Sequence, residues 1–263
     1  MPSTQPTQDW NLPRDEAIPR LIEEHGGKIL GLGRRICRTA EDAEDLFQET
    51  FLQAYRKWDQ FEGRSAPTTW LYTIASRICQ RRHRRRAGEP VRMESLEELL
   101  PYSEKEFAVD TADDIVERAD DTSRVAEAIS ALPLSFRLPI LLKDIAELSI
   151  ADVARILEIK QATVKTRVHR ARLKLRKELE RGRRRRPAGK AYSREVCLDL
   201  LMAKQEALDH GVAMPGQGEL ICERCAEVFA SMDRTRDVCS ELGGDRIPDS
   251  VRAEIARRLA EED

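Results

Sequence analysis

The chain has 263 residues, 35% charged and 5% aromatic, with a formal net charge of −2. This composition favours helices with thin cores over sheets, since long alternating runs of Val, Ile and Thr are absent. No apolar run approaches the roughly 20 residues needed to cross a bilayer. The first residues lack a basic-then-apolar leader pattern, so a cytoplasmic chain is expected. No P-loop, G-x-S-x-G or H-E-x-x-H motif is present, which argues against an enzyme.

The near-neutral total hides strong segregation. Residues 81–86 (RRHRRR) and 181–186 (RGRRRR) are dense basic runs. Residues 89–121 carry twelve acids and three bases, and residues 190–263 carry sixteen acids and ten bases. Basic blocks beside acidic ones suggest a nucleic-acid binder with parts that do not bind it, or that shield it.

In chain order, residues 1–13 are polar, contain three Pro and are expected to be disordered. Helices are predicted from about residue 14 to 86. In the segment 40–58 an apolar stripe of Ala43, Leu46, Phe47, Thr50, Phe51, Ala54 and Tyr55 lies opposite an acidic face. A further helix over 68–86 ends in the first Arg run. Residues 87–122 are acidic and weakly periodic, as expected of a linker. Residues 123–180 return to helical periodicity and contain the most informative stretch, LSIADVARILEIKQATVKTRVHRARLKLRK (148–177). Ser149 fits an N-cap, completed as a capping box by Asp152. Val153, Ile156 and Leu157 form one apolar face; after a turn, Val164, Val168, Ala171 and Leu175 form a second. The turn holds Glu158 where Gly is common, and a non-Gly residue at positive φ there costs roughly 1 kcal/mol. A short amphipathic helix, a turn and a basic second helix is the arrangement that places a helix in the DNA major groove. A solvated basic helix on a bundle is the bland alternative.

Residues 181–190 read as a solvated basic hinge. Beyond them a helix over 194–209, a Pro/Gly loop, a helix through CERCAEVFASMD and a last helix after Pro248 are predicted. Four of the six Cys fall here: Cys197, Cys222, Cys225 and Cys239. Cys222-Glu-Arg-Cys225 is a C-x-x-C opening a helix, with Cys197 upstream and His210 at the end of the preceding helix. Four such ligands suit a tetrahedral zinc site, with the fourth left open among His210, Cys239 and solvent. Thiol redox sensing and inert core Cys remain alternatives.

Taken together, the blocks EDAEDLFQETFLQAYRKWDQFEG, APTTWLYTIASRICQRRHRRR and ALPLSFRLPILLKDIAELSIADVARILEIKQATVKTRVHRARLKLRKEL resemble regions 2 and 4 of a bacterial extracytoplasmic-function sigma factor of the sigma-70 family. The resemblance covers about residues 14–180. It implies an all-α fold: a region 2 bundle (14–86), an acidic linker (87–122), a region 4 helix-turn-helix (123–180), a hinge (181–190) and a Cys-rich domain (191–263).

It also implies core RNA polymerase and promoter DNA as partners. Asp42, Glu44, Asp45, Gln48 and Glu49 would face polymerase. Trp70, Arg77, Gln80, Arg81, Arg84 and Arg85 would meet the −10 element, with Tyr72 a further stacking candidate. Arg77 and Arg81 stand where relatives usually have Asn and Asp, so −10 sequence preference does not carry over. Lys165, Thr166, Arg167, Arg170 and Arg172 would meet the −35 element. The linker would run toward the RNA exit path, a flexible spacer being the equal alternative.

The Cys-rich part is similar in plan to zinc-binding anti-sigma domains, although Gly218 stands where their H-x-x-x-C-x-x-C motif has His. It also resembles the fused tails of sigma factors that respond to copper, zinc or cadmium (the CorE-like group). That likeness implies zinc or another thiophilic metal and regulation in cis by the C-terminal domain. A free-standing helix-turn-helix regulator with a metal- or redox-sensing domain would account for 123–263 but not for the region 2-like block.

Overall fold

The computed structural model describes residues 12–37, 39–63, 65–86, 99–100, 106–108, 114–181, 183, 185–187, 189–214, 216 and 221–262. The expected disorder of 1–13 falls almost wholly outside this range, as does most of the linker 87–122. The chain forms two compact units, one of residues 1–86 with 244–263 and one of residues 87–243. The stretch 191–263, expected as a single domain, is therefore divided between them.

The first unit is built from α1 (Arg14–Ile36), α2 (Ala40–Arg56) and α3 (Pro67–Arg86), joined by a 3₁₀ turn at Trp58–Gln60. Thr39 caps α2 by accepting the Asp42 N–H at 3.0 Å. The predicted stripe of α2 is its buried face: Ala43, Leu46, Phe47, Phe51, Ala54 and Tyr55 meet Ile18, Leu21, Ile29 and Leu30 of α1 and Leu71, Ala75 and Ile78 of α3 in one core. The last helix, Asp249–Ala260, joins this unit against α2.

In the second unit α4 (Asp114–Ala131) starts within the segment read as linker. α5 (Leu134–Ile140) runs into a single π turn, Leu141–Ile145. α6 (Ile150–Leu157) and α7 (Gln161–Leu179) form the helix-turn-helix. Its local chemistry follows the sequence. Ser149 Oγ accepts the Asp152 N–H at 3.0 Å and donates to the Asp152 carboxylate at 2.6 Å. Glu158 takes φ 56°, the left-handed conformation expected for the turn.

Two short strands, β1 (Glu106–Ala108) and β2 (Arg185–Pro187), pair antiparallel. This pair is the one sheet among the described residues. The hinge is also less solvated than expected: the Arg183 side chain is buried and meets Asp121 at 2.5 Å. Two more helices complete the unit, α8 (Arg194–His210) and α9 (Glu223–Glu241). α9 packs on α7, on α4 and on the π turn. Leu99, Leu100 and Leu173 share a core with Leu201, Leu208, Val228, Phe229 and Met232. α10 (Asp249–Ala260), begun by Pro248 as predicted, buries Val251 and Ile255 in the first unit.

Candidate functional site

The basic helix α7 buries Val164, Val168, Ala171 and Leu175 against the helix-turn-helix core. Three of its polar residues, Lys165, His169 and Arg172, lie three or four residues apart and so share a face. That face is occupied by α8. Lys165 Nζ meets both carboxylate oxygens of Glu206, at 2.8 and 2.7 Å. His169 Nε2 lies 3.0 Å from Asp209 Oδ2.

Arg172 is 4% exposed. Its Nε and Nη2 donate to the two oxygens of Asp144, at 2.8 and 2.7 Å, and its Nη1 donates to Asp209 Oδ1 at 2.7 Å and Gln205 Oε1 at 3.2 Å. The π turn is what brings Asp144 to this position. Burial pushes the Asp209 carboxyl upward, but the hydrogen bond from His169 and the charge of Arg172 outweigh it and hold it below the usual range.

Arg172 therefore departs from its expected DNA contact. Its guanidinium is enclosed between two carboxylates, one of them on the π turn that precedes the helix-turn-helix. Of the other expected contacts, Thr166 is exposed and donates to Ala162 O at 2.9 Å. Arg167 is half-buried, and Arg170 lies over the Phe136 ring at 5.6 Å.

The second cluster joins the start of α8 to the start of α9. Cys197 lies in the first turn of α8. Cys222 is the N-cap of α9, its Sγ accepting the Cys225 N–H at 3.5 Å. The three sulfurs lie within 4.8 Å of one another, and all three residues are buried. Burial pushes the thiols of Cys197 and Cys225 up. At Cys222 burial acts the same way, but backbone hydrogen bonds at Cys225 and Tyr192 outweigh it and bring the thiol down. Soft donors this close fit a thiophilic metal ion.

His210 and Cys239 are not with them. Cys239 is on the same helix as Cys225, about 21 Å along its axis at 1.5 Å per residue, and is buried elsewhere. His210 lies at the far end of α8 from Cys197, about 20 Å away on the same measure. It is exposed, with Nδ1 at 2.9 Å from Glu206 O.

In the first unit Asp45 is exposed, while Asp42 and Glu44 are half-buried. Gln48 is buried, and its Oε1 has no hydrogen-bond partner among the described residues. Glu49 is engaged by Arg81 and by Arg82 Nη2 at 2.7 Å, tying α2 to α3. Trp70 is half-buried in an aromatic group, with ring centroids 5.9 Å from Trp58 and 5.1 Å from Phe61. Tyr72 is buried, its hydroxyl pushed up to about 12 by desolvation, so it does not present a stacking face. Arg77 and Arg81 are exposed and Gln80 half-buried; the side chains of Arg84 and Arg85 lie outside the described residues.

Sequence reasoning missed Gly26 and Gly27, which sit mid-helix in α1 at a cost of about 1 kcal/mol each relative to Ala. A Cβ at Gly27 would stand 2.4 Å from Asp245 O, and one at Gly26 2.5 Å from the Ile247 side chain. Asp245 N–H donates to Gly27 O at 3.1 Å. The glycine pair inside an otherwise helical pattern was the available signal for this close approach.

Comparison with known proteins bears on the fold and both segments. The family models for sigma-70 region 2 and sigma-70 region 4 match residues 21–89 and 122–175. The ECF RNA polymerase sigma factor SigW of Bacillus subtilis is 33% identical over 167 residues, 62% of this chain and 89% of that protein. SigM of Mycobacterium tuberculosis is 33% identical over 159 residues, 60% of this chain and 75% of that one. Among solved structures, the sigma factor RpoE in complex with the anti-sigma factor NepR, from Bartonella quintana, is 24% identical with a TM-score of 0.47, covering 64% of this chain and 99% of that one. With both sigma segments matched in order and its relatives covered over most of their length, the chain belongs to the ECF RNA polymerase sigma factors of the sigma-70 family, which direct promoter-specific transcription initiation.

Proposed function

We propose that the segment following the hinge regulates this sigma factor in cis, by covering the face of α7 that would otherwise meet the −35 element. The observation that carries this reading is the placement of Glu206 and Asp209 on Lys165, His169 and Arg172. Carboxylates there compete with DNA phosphates for the same cations, and phosphate contacts dominate DNA affinity. When α8 leaves, Lys165, Thr166, Arg167 and Arg170 meet the −35 duplex. Arg172 stays paired with Asp144 as a strut.

In the first unit Trp70, Arg77, Gln80, Arg81, Arg84 and Arg85 serve the −10 element through stacking and phosphate contacts. Asp42, Glu44, Asp45, Gln48 and Glu49 serve polymerase. Cys197, Cys222 and Cys225 hold a thiophilic metal ion, for which zinc, copper or cadmium are the candidates. An ion there cross-links the first turn of α8 to the N-terminus of α9 and so holds the acidic face of α8 in place.

Run-off transcription with core polymerase tests the masking. Glu206→Ala/Asp209→Ala is expected to raise transcript yield over the unsubstituted chain, and equal yields would sink the masking reading. Cys222→Ser is expected to lower the metal content of the purified protein; unchanged stoichiometry removes Cys222 from the ligand set.

A further inference from the structure

The thiol centre opens onto an apolar recess. Cys197 and Cys225 line a small, partly open hollow of about 20 Å³ together with Leu198, Leu201, Val228, Phe229 and Arg224. A tetrahedral ion needs a fourth donor beyond three sulfurs. Among the described residues, those lining the recess are apolar apart from Arg224, and a guanidinium has no acceptor lone pair to give.

Charge points the same way. Three thiolates around a divalent ion carry one surplus negative charge, which in apolar surroundings is costly unless a cation lies beside it. Three thiolates around a trivalent centre carry none. A trivalent metalloid is also content with three ligands and directs its lone pair to the open side, where hydrocarbon is a suitable neighbour. Three bonds of about 2.3 Å meeting at the near-right angles of a lone-pair-bearing centre place the sulfurs roughly 3.4 Å apart, so sulfurs already within 4.8 Å close on such a centre with shifts of about an ångström.

We propose that Cys197, Cys222 and Cys225 form a receptor for a trivalent, three-coordinate metalloid, supplied as arsenous or antimonous acid. The inference rests on the thiol cluster being a metal site, and specifies which ion it selects. Binding is a condensation. Three As–O bonds break, three As–S bonds form, and each thiol proton leaves with a hydroxide as one water. No electrons change hands.

The test uses the reduced full chain, titrated with arsenous acid and with zinc, alone and in competition. Arsenous acid is expected to bind one per chain, displace zinc, and show three sulfur neighbours and no oxygen by X-ray absorption. Ser at Cys197, Cys222 or Cys225 is expected to weaken it by at least about tenfold, with Cys239→Ser unchanged and circular dichroism confirming each fold. Arg224→Gln, which removes a cation from the lining of the recess, is expected to weaken zinc and to leave arsenous acid unaffected.

Retention of an oxygen neighbour on arsenic, failure to displace zinc, or an equal effect of Arg224→Gln on both ions overturns the metalloid assignment while leaving the metal site standing. If neither zinc nor arsenous acid binds these cysteines, the metal-site reading itself fails.

Discussion

The residues after the hinge meet the sigma segments through two chemically different contacts. In the second unit the contact is polar and dry: the side chains of Arg172, Asp144 and Asp209 are 5%, 4% and 1% exposed. In the first unit it is apolar and shape-dependent. Ile247, Val251 and Ile255 are buried, and the chain at Asp245 fits against Gly26–Gly27. The ion pairs there sit at the edge, as with Arg56, whose Nε meets Glu262 at 2.6 Å while its side chain stays 57% exposed. A buried charge network loses much when one member is removed. An apolar contact responds to shape, and an exposed ion pair is screened by salt and contributes little. On the masking reading proposed above, DNA phosphate would compete for the first contact and not for the second.

The largest expected effect comes from breaking the buried network. Asp209→Ala leaves His169 and Arg172 short of a carboxylate, at a cost on the order of 3 kcal/mol, or roughly a hundredfold in docking. The full chain should then bind a −35 duplex more tightly by fluorescence anisotropy, and amide exchange should rise along α8. Unchanged binding and exchange would mean that the network does not hold α8 on α7.

Next is Gly27→Ala, which sets a Cβ against backbone at Asp245 and is expected to cost about 1–3 kcal/mol. Faster proteolysis within 245–260 with unaltered exchange in α8 would confirm that the two contacts are independent. Coupled loosening of α8 would break the comparison.

A third, smaller effect concerns pH. The Asp209 carboxyl is held below its ordinary value of 3.8. Its stabilisation is thus complete above 3.8 and is lost as pH falls through the lower folded value. The stability gap between the unsubstituted chain and Asp209→Asn, followed by urea unfolding, should be constant at neutral pH and shrink in acid below that point. A gap that widens there reverses the sign and the argument.

The smallest effect is expected from Glu262→Gln, since the Arg56–Glu262 pair lies at the surface. The melting temperature should not move measurably, and a clear drop would show that the edge of the α10 contact matters more than its apolar centre.

Much of the site was legible because it depends on near neighbours. The Ser149–Asp152 cap, the left-handed turn at Glu158 and the apolar stripes of α2 and α7 follow from spacing within a few residues. The same holds for Cys222 and Cys225, which fall at the start of one helix and so meet. Adding His210 and Cys239 failed for the converse reason. Proximity in sequence class and region says nothing about the rise of a helix, which carries each of them about 20 Å from the other thiols. Arg172 failed differently. Its position on a basic helix suggested DNA, but whether a cation faces solvent depends on which remote carboxylates arrive beside it.

The sequence by itself determined the helices, their caps, the two sigma segments and the pair of cysteines at the head of α9. Each of these is set by local propensity, hydrophobic period or a motif read within one element. Only the tertiary structure decided that Cys197 completes the thiol cluster, that Asp144 and Asp209 enclose Arg172, and that Gly26–Gly27 receives the chain at Asp245. Those contacts join residues dozens to hundreds of positions apart. Their partners are selected by how helices pack, which no local pattern encodes.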